Sequence, residues 1–340
     1  MLKILTYNEI DKHQWQALVD QSSTATWFQT PEAYEFYKSV PEEMTPFAYG
    51  VAVSLKFSPE GKDLQLVGVV VGYITKARNS IKQFFTRRAI IVGGPLLSND
   101  ISGEALVALL NSVKKQLGEA IYIETRNFND YSSWRTIFEQ CGFSYYPHLN
   151  FHVDCSVENI LSQMSESRRR QIKKAIKSGV EIAEAQSIND ITAFYSILNK
   201  LYQTKVKTPL FPFEFFSRFH TLGVGKFLLV KYNEKVIGGI MCPILNKNTI
   251  YEWFVCGLDE EYKNQFPSVM ATYAAIEYAN THGITKFDFM GAGKPNEAYG
   301  VRDFKARFGG EQVEYGRYVY VRKSLLYKIG KLGVKILKKK

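Results

Sequence analysis

The stretch FDFMGAGKPNEAYGVRDFKARFGGE, Phe287 to Glu311, decides how the chain is read. Phe287 to Met290 reads as a buried strand and Val301 to Arg307 as a short helix. Gly309–Gly310 closes that helix, because glycine takes the left-handed backbone on which helices end. Val313 to Val321 then reads as a final strand. An earlier block has the same pattern: WRTIFEQCGF, Trp134 to Phe143, lies over VRDFKARFGG, Val301 to Gly310. Arg135 falls on Arg302 and Gly142 on Gly309. Each block follows a strand, and each strand follows a helix and a glycine (Gly118, Gly283). Two copies of one α/β unit are expected, with a cleft between them where a ligand sits.

Working outward, the order of elements repeats. In the first half, Phe47 to Phe57 and Leu64 to Ala77 read as a hairpin turning at Pro59–Glu60–Gly61. Ala89 to Val92 is a buried strand, and Gly103 to Leu117 a helix with Leu106, Leu109, Leu110 and Val113 on one face. Ile121 to Glu124 is a strand, Trp134 to Cys141 a helix and Leu149 to Val153 a strand. In the second half, Phe227 to Tyr232, Val236 to Pro243 and Ile250 to Val255 read as a three-strand meander. Ser268 to His282 is a helix stopped by Gly283. The class is α/β (α+β), with domains at 1–153 and 154–321 and a basic amphipathic tail at 322–340.

Composition bounds the rest. Of 340 residues, 46% are apolar and 22% charged, which is globular and too apolar for disorder. No stretch has the ~18 apolar residues of a membrane-spanning helix, and the N-terminus has no secretory signal. Cys141, Cys155, Cys242 and Cys256 sit in apolar, strand-like surroundings without a C-x-x-C, so they read as reduced core thiols of a cytoplasmic protein. The five histidines form no evident site. His148 and His152 bracket a strand and read as structural. No metal site is expected.

The net charge of +10 is unevenly placed. From Tyr318 onward there is no acid, and the eight bases there account for all but +2 of it. Leu325, Ile329, Leu332 and Ile336 form one helical stripe, widened by Leu326 and Leu337, with Lys328, Lys331, Lys335 and Lys338 around it. This pattern suits an anionic membrane surface; a terminal helix packed on the body by its leucines is the alternative. A second cluster, Arg168, Arg169, Arg170, Lys173, Lys174 and Lys177, reads as one helix capped by Ser165 and stopped by Gly179, with Ile172 and Ile176 as its buried edge. No acid is interleaved after Glu166, so an anionic partner such as phosphate is expected.

A meander followed by helix, strand, glycine-terminated helix and strand resembles the GNAT acyltransferase unit. A doubled unit with a basic helix opening the second copy resembles the FemABX-type peptidyltransferase family, over about residues 20 to 320. The pieces that carry the resemblance are FQTPEAYEFYKSV (Phe28 to Val40), SESRRRQIKKAIKSGVEI (Ser165 to Ile182) and the opening stretch. No long heptad pattern lies between Ile182 and Phe227, so the chain resembles a member without the family's helical arm. The resemblance implies two tandem GNAT-like domains and transfer of an aminoacyl group from aminoacyl-tRNA to an amine of a lipid- or nucleotide-linked peptidoglycan precursor.

That reaction is ester aminolysis, and it needs a neutral amine, alignment of two anionic substrates and a stabilised oxyanion. The resemblance makes Lys305 the residue facing the transferred acyl group, where an ammonium would stabilise the oxyanion or the leaving ribose oxygen. Asp288 alternates with Phe287 and Phe289, so its carboxylate would take a proton, fix the amine, or pair with Arg302 or Lys305. Glu252, between Tyr251 and Trp253, is a similar candidate. The resemblance also gives Lys38 to precursor phosphate and places a cation near Lys207, where lysine lacks arginine's bidentate fork. Arg168, Arg169, Lys173 and Arg302 would bind substrate, with phosphate a fitting partner for the cluster on the basic helix. Tyr299 and Phe304 would form an apolar wall, with core packing the alternative for Phe304.

Acyl-CoA enzymes of the GNAT type seat a pyrophosphate on a glycine-rich turn at a helix start. Tyr262 to Ser268 has no glycine there, and Pro267 offers no N–H. This argues against acyl-CoA and for aminoacyl-tRNA as donor, with no further cofactor. Two other readings stay open: an N-acyltransferase using acyl-CoA or acyl carrier protein on a lipid or polysaccharide amine, and a non-catalytic RNA- or membrane-binding protein.

Overall fold

The computed structural model describes residues 1–54, 64–76 and 87–337, with 332–337 as backbone only. The chain forms two compact units, Met1–Pro147 with Tyr315–Lys340, and His148–Glu314. Each is built on a mixed sheet flanked by helices, eight-stranded among the described residues.

The first sheet runs β1 (Leu2–Thr6), β2 (Met44–Ser54), β3 (Leu64–Thr75), β4 (Ala89–Gly93), β6 (Tyr122–Asn127), β16 (Arg317–Val321), β7 (Ser144–Tyr146), with β5 (Leu96–Leu97) also on β3. β2 and β3 are the expected hairpin; its turn at Pro59–Gly61 lies outside the described residues. Helix α3 (Gly103–Gln116) is capped by Ser102, whose side chain accepts from Ala105 N, and it buries Leu106, Leu109, Leu110 and Val113 on the sheet. Among the described residues, the other helices of this unit are α1 (Lys12–Gln21), α2 (Pro31–Lys38), α4 (Arg135–Gln140) and α10 (Ser324–Leu337).

The second sheet repeats the order: β9 (Val180–Glu184), β10 (Gly225–Tyr232), β11 (Lys235–Leu245), β12 (Thr249–Tyr251), β14 (Lys286–Asp288), β8 (Leu149–Asp154), β15 (Glu311–Glu314). β13 (Phe254–Gly257) also pairs with β11. Helix α8 (Pro267–Thr281) starts on proline, whose fixed φ suits a first turn. Alanines 271, 274, 275 and 279 let it lie close on the sheet, and it is buried on nearly every side. The other helices here are α5 (Glu166–Lys177), α6 (Ile188–Leu201), α7 (Phe213–Thr221) and α9 (Gly300–Ala306).

Four expectations are corrected. The strand expected over Val313 to Val321 is two strands in two sheets, turned at Gly316, where φ is +62° and a Cβ would strike the Tyr145 ring. Leu149–Asp154 does not close the first unit but lies inside the second sheet, so a boundary after residue 153 cuts the second unit. The strand expected over Ile250 to Val255 breaks at Glu252–Trp253. Ile176 is exposed; α5 buries Arg168, Ile172 and Ala175 instead. The four cysteines are buried free thiols.

Candidate active site in the second unit

The break in the sheet makes the site. β12 and β14 run parallel through three pairs, Thr249–Lys286, Ile250–Phe287 and Tyr251–Asp288. One further bond, Glu252 N to Asp288 O at 2.9 Å, ends the pairing. Trp253 N then donates to Met241 O at 3.1 Å, and the chain continues as β13 along β11. On the other side Met290 takes a left-handed backbone, φ +57°, and turns away. Two parallel strands therefore diverge and leave backbone carbonyls without ladder partners, which burial does not tolerate.

Lys305 enters this wedge from α9. Its Nζ donates to Phe289 O at 2.8 Å and Gly291 O at 2.9 Å, and meets Glu252 Oε1 at 3.0 Å. An ammonium has three N–H donors, and each has an acceptor here. Lys305 is only 9% exposed and Glu252 6%. Thr272 donates its hydroxyl to the other Glu252 oxygen at 3.1 Å. Burial raises the Glu252 pKa, and the charge and hydrogen bond of Lys305 only partly offset it.

A second polar pair lies alongside. Asp288 Oδ1 accepts from Asn150 Nδ2 at 2.7 Å and from Met290 N at 2.6 Å, while Oδ2 meets His152 Nε2 at 3.0 Å. Burial alone would raise the Asp288 pKa. The hydrogen bond and charge of His152, with the bonds from Asn150 and Met290, outweigh burial and hold it below the usual carboxylate range.

Arg302 ties down the loop between the pairs, with Nε donating to Ala292 O at 3.0 Å and Nη2 to Lys294 O and Glu297 O. Tyr299 is half-exposed, its ring over Gly293, where φ is +79° and a Cβ would clash. Behind α9, a cavity of about 440 Å³ is lined by Arg168, Gln171, Asp259, Ser268, Phe304 and Arg307, among others.

Arg168 is not the solvent-facing phosphate contact expected of it. It is 2% exposed, with Nη1 on Gln171 Oε1 at 2.8 Å and Nη2 on Phe304 O at 2.9 Å. Its guanidinium lies 4.5 Å from the Phe304 ring centroid and 4.2 Å from that of Phe308. Burial, then the charge of Arg307, lowers its pKa to about 10. Arg169 is tied to main-chain carbonyls of Ser162 and Met164, Lys174 reaches Asn264, and Lys173 is exposed.

Lys305, Glu252, Asp288 and Arg302 come together, and Arg168 and Phe304 meet behind them. Lys207 is exposed on the turn after α6, with φ +53°. Lys38 belongs to the first unit, where it lies 3.9 Å from Glu35. Sequence reading took His152 as structural and did not single out Asn150 or Thr272; the structure sets all three against the buried carboxylates. The signal was present in LNFHVD: Leu149, Phe151 and Val153 share one strand face, leaving Asn150 and His152 together on the other. It also missed Asp259, whose carboxylate accepts from Ser268 N at 3.0 Å and from the Ser268 hydroxyl, and so caps α8.

Residues 163–305 match the Acetyltransf_6 family, an acetyltransferase (GNAT) domain. Three solved structures share the two-unit fold. FemX is 15% identical, with a TM-score of 0.70 over 96% of this chain and 99% of its own. L-PGS from Bacillus licheniformis is 12% identical, with a TM-score of 0.58 over 95% and 96%. A tandem GNAT protein from the clavulanic acid biosynthesis pathway is 9% identical, with a TM-score of 0.57 over 94% and 98%. No curated protein matches in sequence. The fold is thus the tandem GNAT fold expected from the FemABX-type resemblance, and the GNAT match marks the chain as an acyltransferase.

Proposed function

We propose that this acyltransferase moves an aminoacyl group from aminoacyl-tRNA to an amine of a peptidoglycan precursor, in the cytoplasm. The observation that carries the choice of donor is Asp259. In acyl-CoA enzymes of the GNAT type, a helix start like that of α8 receives the pyrophosphate. Here the chain's own carboxylate already takes Ser268 N–H and its hydroxyl. A second anion there would meet like charge. The solvent-facing Lys173 and Lys177 of α5 remain for a polyanion, with Arg170 beside them 3.8 Å from Glu166.

In this reading the acceptor amine attacks the ester carbonyl, and the ribose oxygen leaves with the amine's proton. Lys305 would exchange one backbone carbonyl for the oxyanion, since its charge is already desolvated and oriented. Glu252 keeps that ammonium in place. Asp288 and His152 orient one another, and the less buried His152 would relay the proton.

The GNAT acetyltransferase match favours a second reading, an acyl-CoA or acyl-carrier N-acyltransferase. Ribonuclease separates the two: it abolishes transfer under the first and spares it under the second. Mass spectrometry of envelope precursors from cells with and without the protein should then differ by one amino-acid residue. A fatty-acyl or acetyl difference would overturn the proposal.

A further inference from the structure

Leu325 and Ile329 lie four apart on α10 and are 70% and 45% exposed. Tyr327, between them in sequence, falls about 160–200° around the helix from both. It packs edge-to-face on Tyr122, with ring centroids 5.0 Å apart. Lys331 Nζ bridges its own helix and the body, 4.5 Å from the Tyr327 ring centroid and 5.6 Å from that of Tyr146. Just before the helix, Arg322 donates to Lys114 O, and Lys323 Nζ to Glu119 O at 3.3 Å. The helix therefore rests on its tyrosine side and turns its leucine side away from the first unit.

We propose that this outward face docks on an anionic lipid bilayer, with Leu325 and Ile329 entering the acyl boundary and the lysines meeting headgroup phosphates. Charge selects this occupant. The sequence from Tyr318 onward holds eight bases and no acid, and Lys328 lies on the flank of the apolar pair. A second copy of the chain would set two such basic helices against each other, where like charges repel. The proposal stands apart from the transfer reading, because its test reads binding alone.

The test is flotation of the full chain with phosphatidylcholine vesicles, with and without phosphatidylglycerol. The chain should float only with the anionic vesicles, and less as salt rises. Lys328→Gln should weaken binding about fivefold, the factor for one lysine near the headgroups. Leu325→Glu with Ile329→Glu should weaken it more than about tenfold, with an unchanged far-ultraviolet spectrum because both side chains are exposed. No flotation, equal flotation on both vesicles, or unchanged binding of the double variant would overturn the proposal. So would a dimer in light scattering that the double variant dissolves, since the occupant would then be a second copy.

Discussion

The two units share one strand order but treat the same joint in opposite ways. In the first, β4 and β6 stay paired through all five residues, from Ala89–Ile123 to Gly93–Asn127. Beyond that end, neutral donors close the gap: Gln29 Nε2 donates to Gly94 O at 2.7 Å, and the Tyr131 hydroxyl to Pro95 O at 2.6 Å and Gly93 O at 3.1 Å. In the second, β12 and β14 separate after three pairs, and a buried charge pair, Lys305 with Glu252, holds the opening. A neutral plug completes a core. A buried ion pair does so less efficiently, since desolvation offsets most of its attraction. Keeping one at an open joint makes sense where charge develops during a reaction, which is why the proposed chemistry is assigned to the second unit.

The largest expected effect breaks that pair. Lys305→Met should leave Glu252 buried without its cation and destabilise the fold by about 3–5 kcal/mol in urea unfolding. Adding Glu252→Gln should restore much of the loss. If the single and double variants unfold alike, the wedge is not held by charge.

The units should also differ in the sign of their pH dependence. In the first, Glu124 Oε1 accepts from Arg126 Nε at 3.0 Å and Arg317 Nη1 at 2.8 Å. Burial opposes its ionisation, but the charges of Arg126 and Arg317 lower its pKa to about 2. A lowered carboxylate pKa stabilises the fold above its ordinary value and loses that contribution as pH falls. Glu124 should thus supply about 3 kcal/mol at neutral pH, lost between pH 4.5 and about 2. Glu252, raised by burial, has the opposite sign: the fold binds its proton more readily than the unfolded chain, so stability falls as pH rises through the window above 4.5. Glu124→Gln should flatten the acid limb of the stability curve and Glu252→Gln should not. Equal flattening by both would erase the contrast.

The smallest effect concerns the neutral plug. Tyr131→Phe leaves buried carbonyls short of a donor and should cost about 1–3 kcal/mol, without changing the transfer rate. A slowed reaction with an unchanged melting curve would show that the first unit's joint takes part.

The repeat was legible because glycines punctuate it and its helices carry period-3.6 apolar faces, as in Gly103–Gln116. The break at Glu252–Trp253 was not, because a run such as IYEWFV, apolar except for Glu252, reads as one strand until a parallel neighbour pulls half of it away. Nor was the split of Val313 to Val321: periodicity says that a strand exists and not which sheet takes it. Lys305, Glu252 and Asp288 were chosen one by one; the contacts of Lys305 with Glu252 and with the Phe289 and Gly291 carbonyls join residues about 15 to 50 apart, and Asp288 is held by the more distant Asn150 and His152. Arg168 misled for the same reason. A charge run looks solvated on a helix, and only the Phe304 and Phe308 rings show that its first arginine is inside.

The most direct measurement compares Lys305→Ala with the unchanged chain in transfer from aminoacyl-tRNA and, in parallel, in tRNA affinity, on protein confirmed folded by circular dichroism. The rate should fall about 10²–10³-fold, the size of a lost oxyanion contact, while affinity stays within about twofold because the ammonium lies inside the wedge. An unchanged rate, or a loss of affinity matching the loss of rate, would contradict a reaction centred on the second unit's open joint.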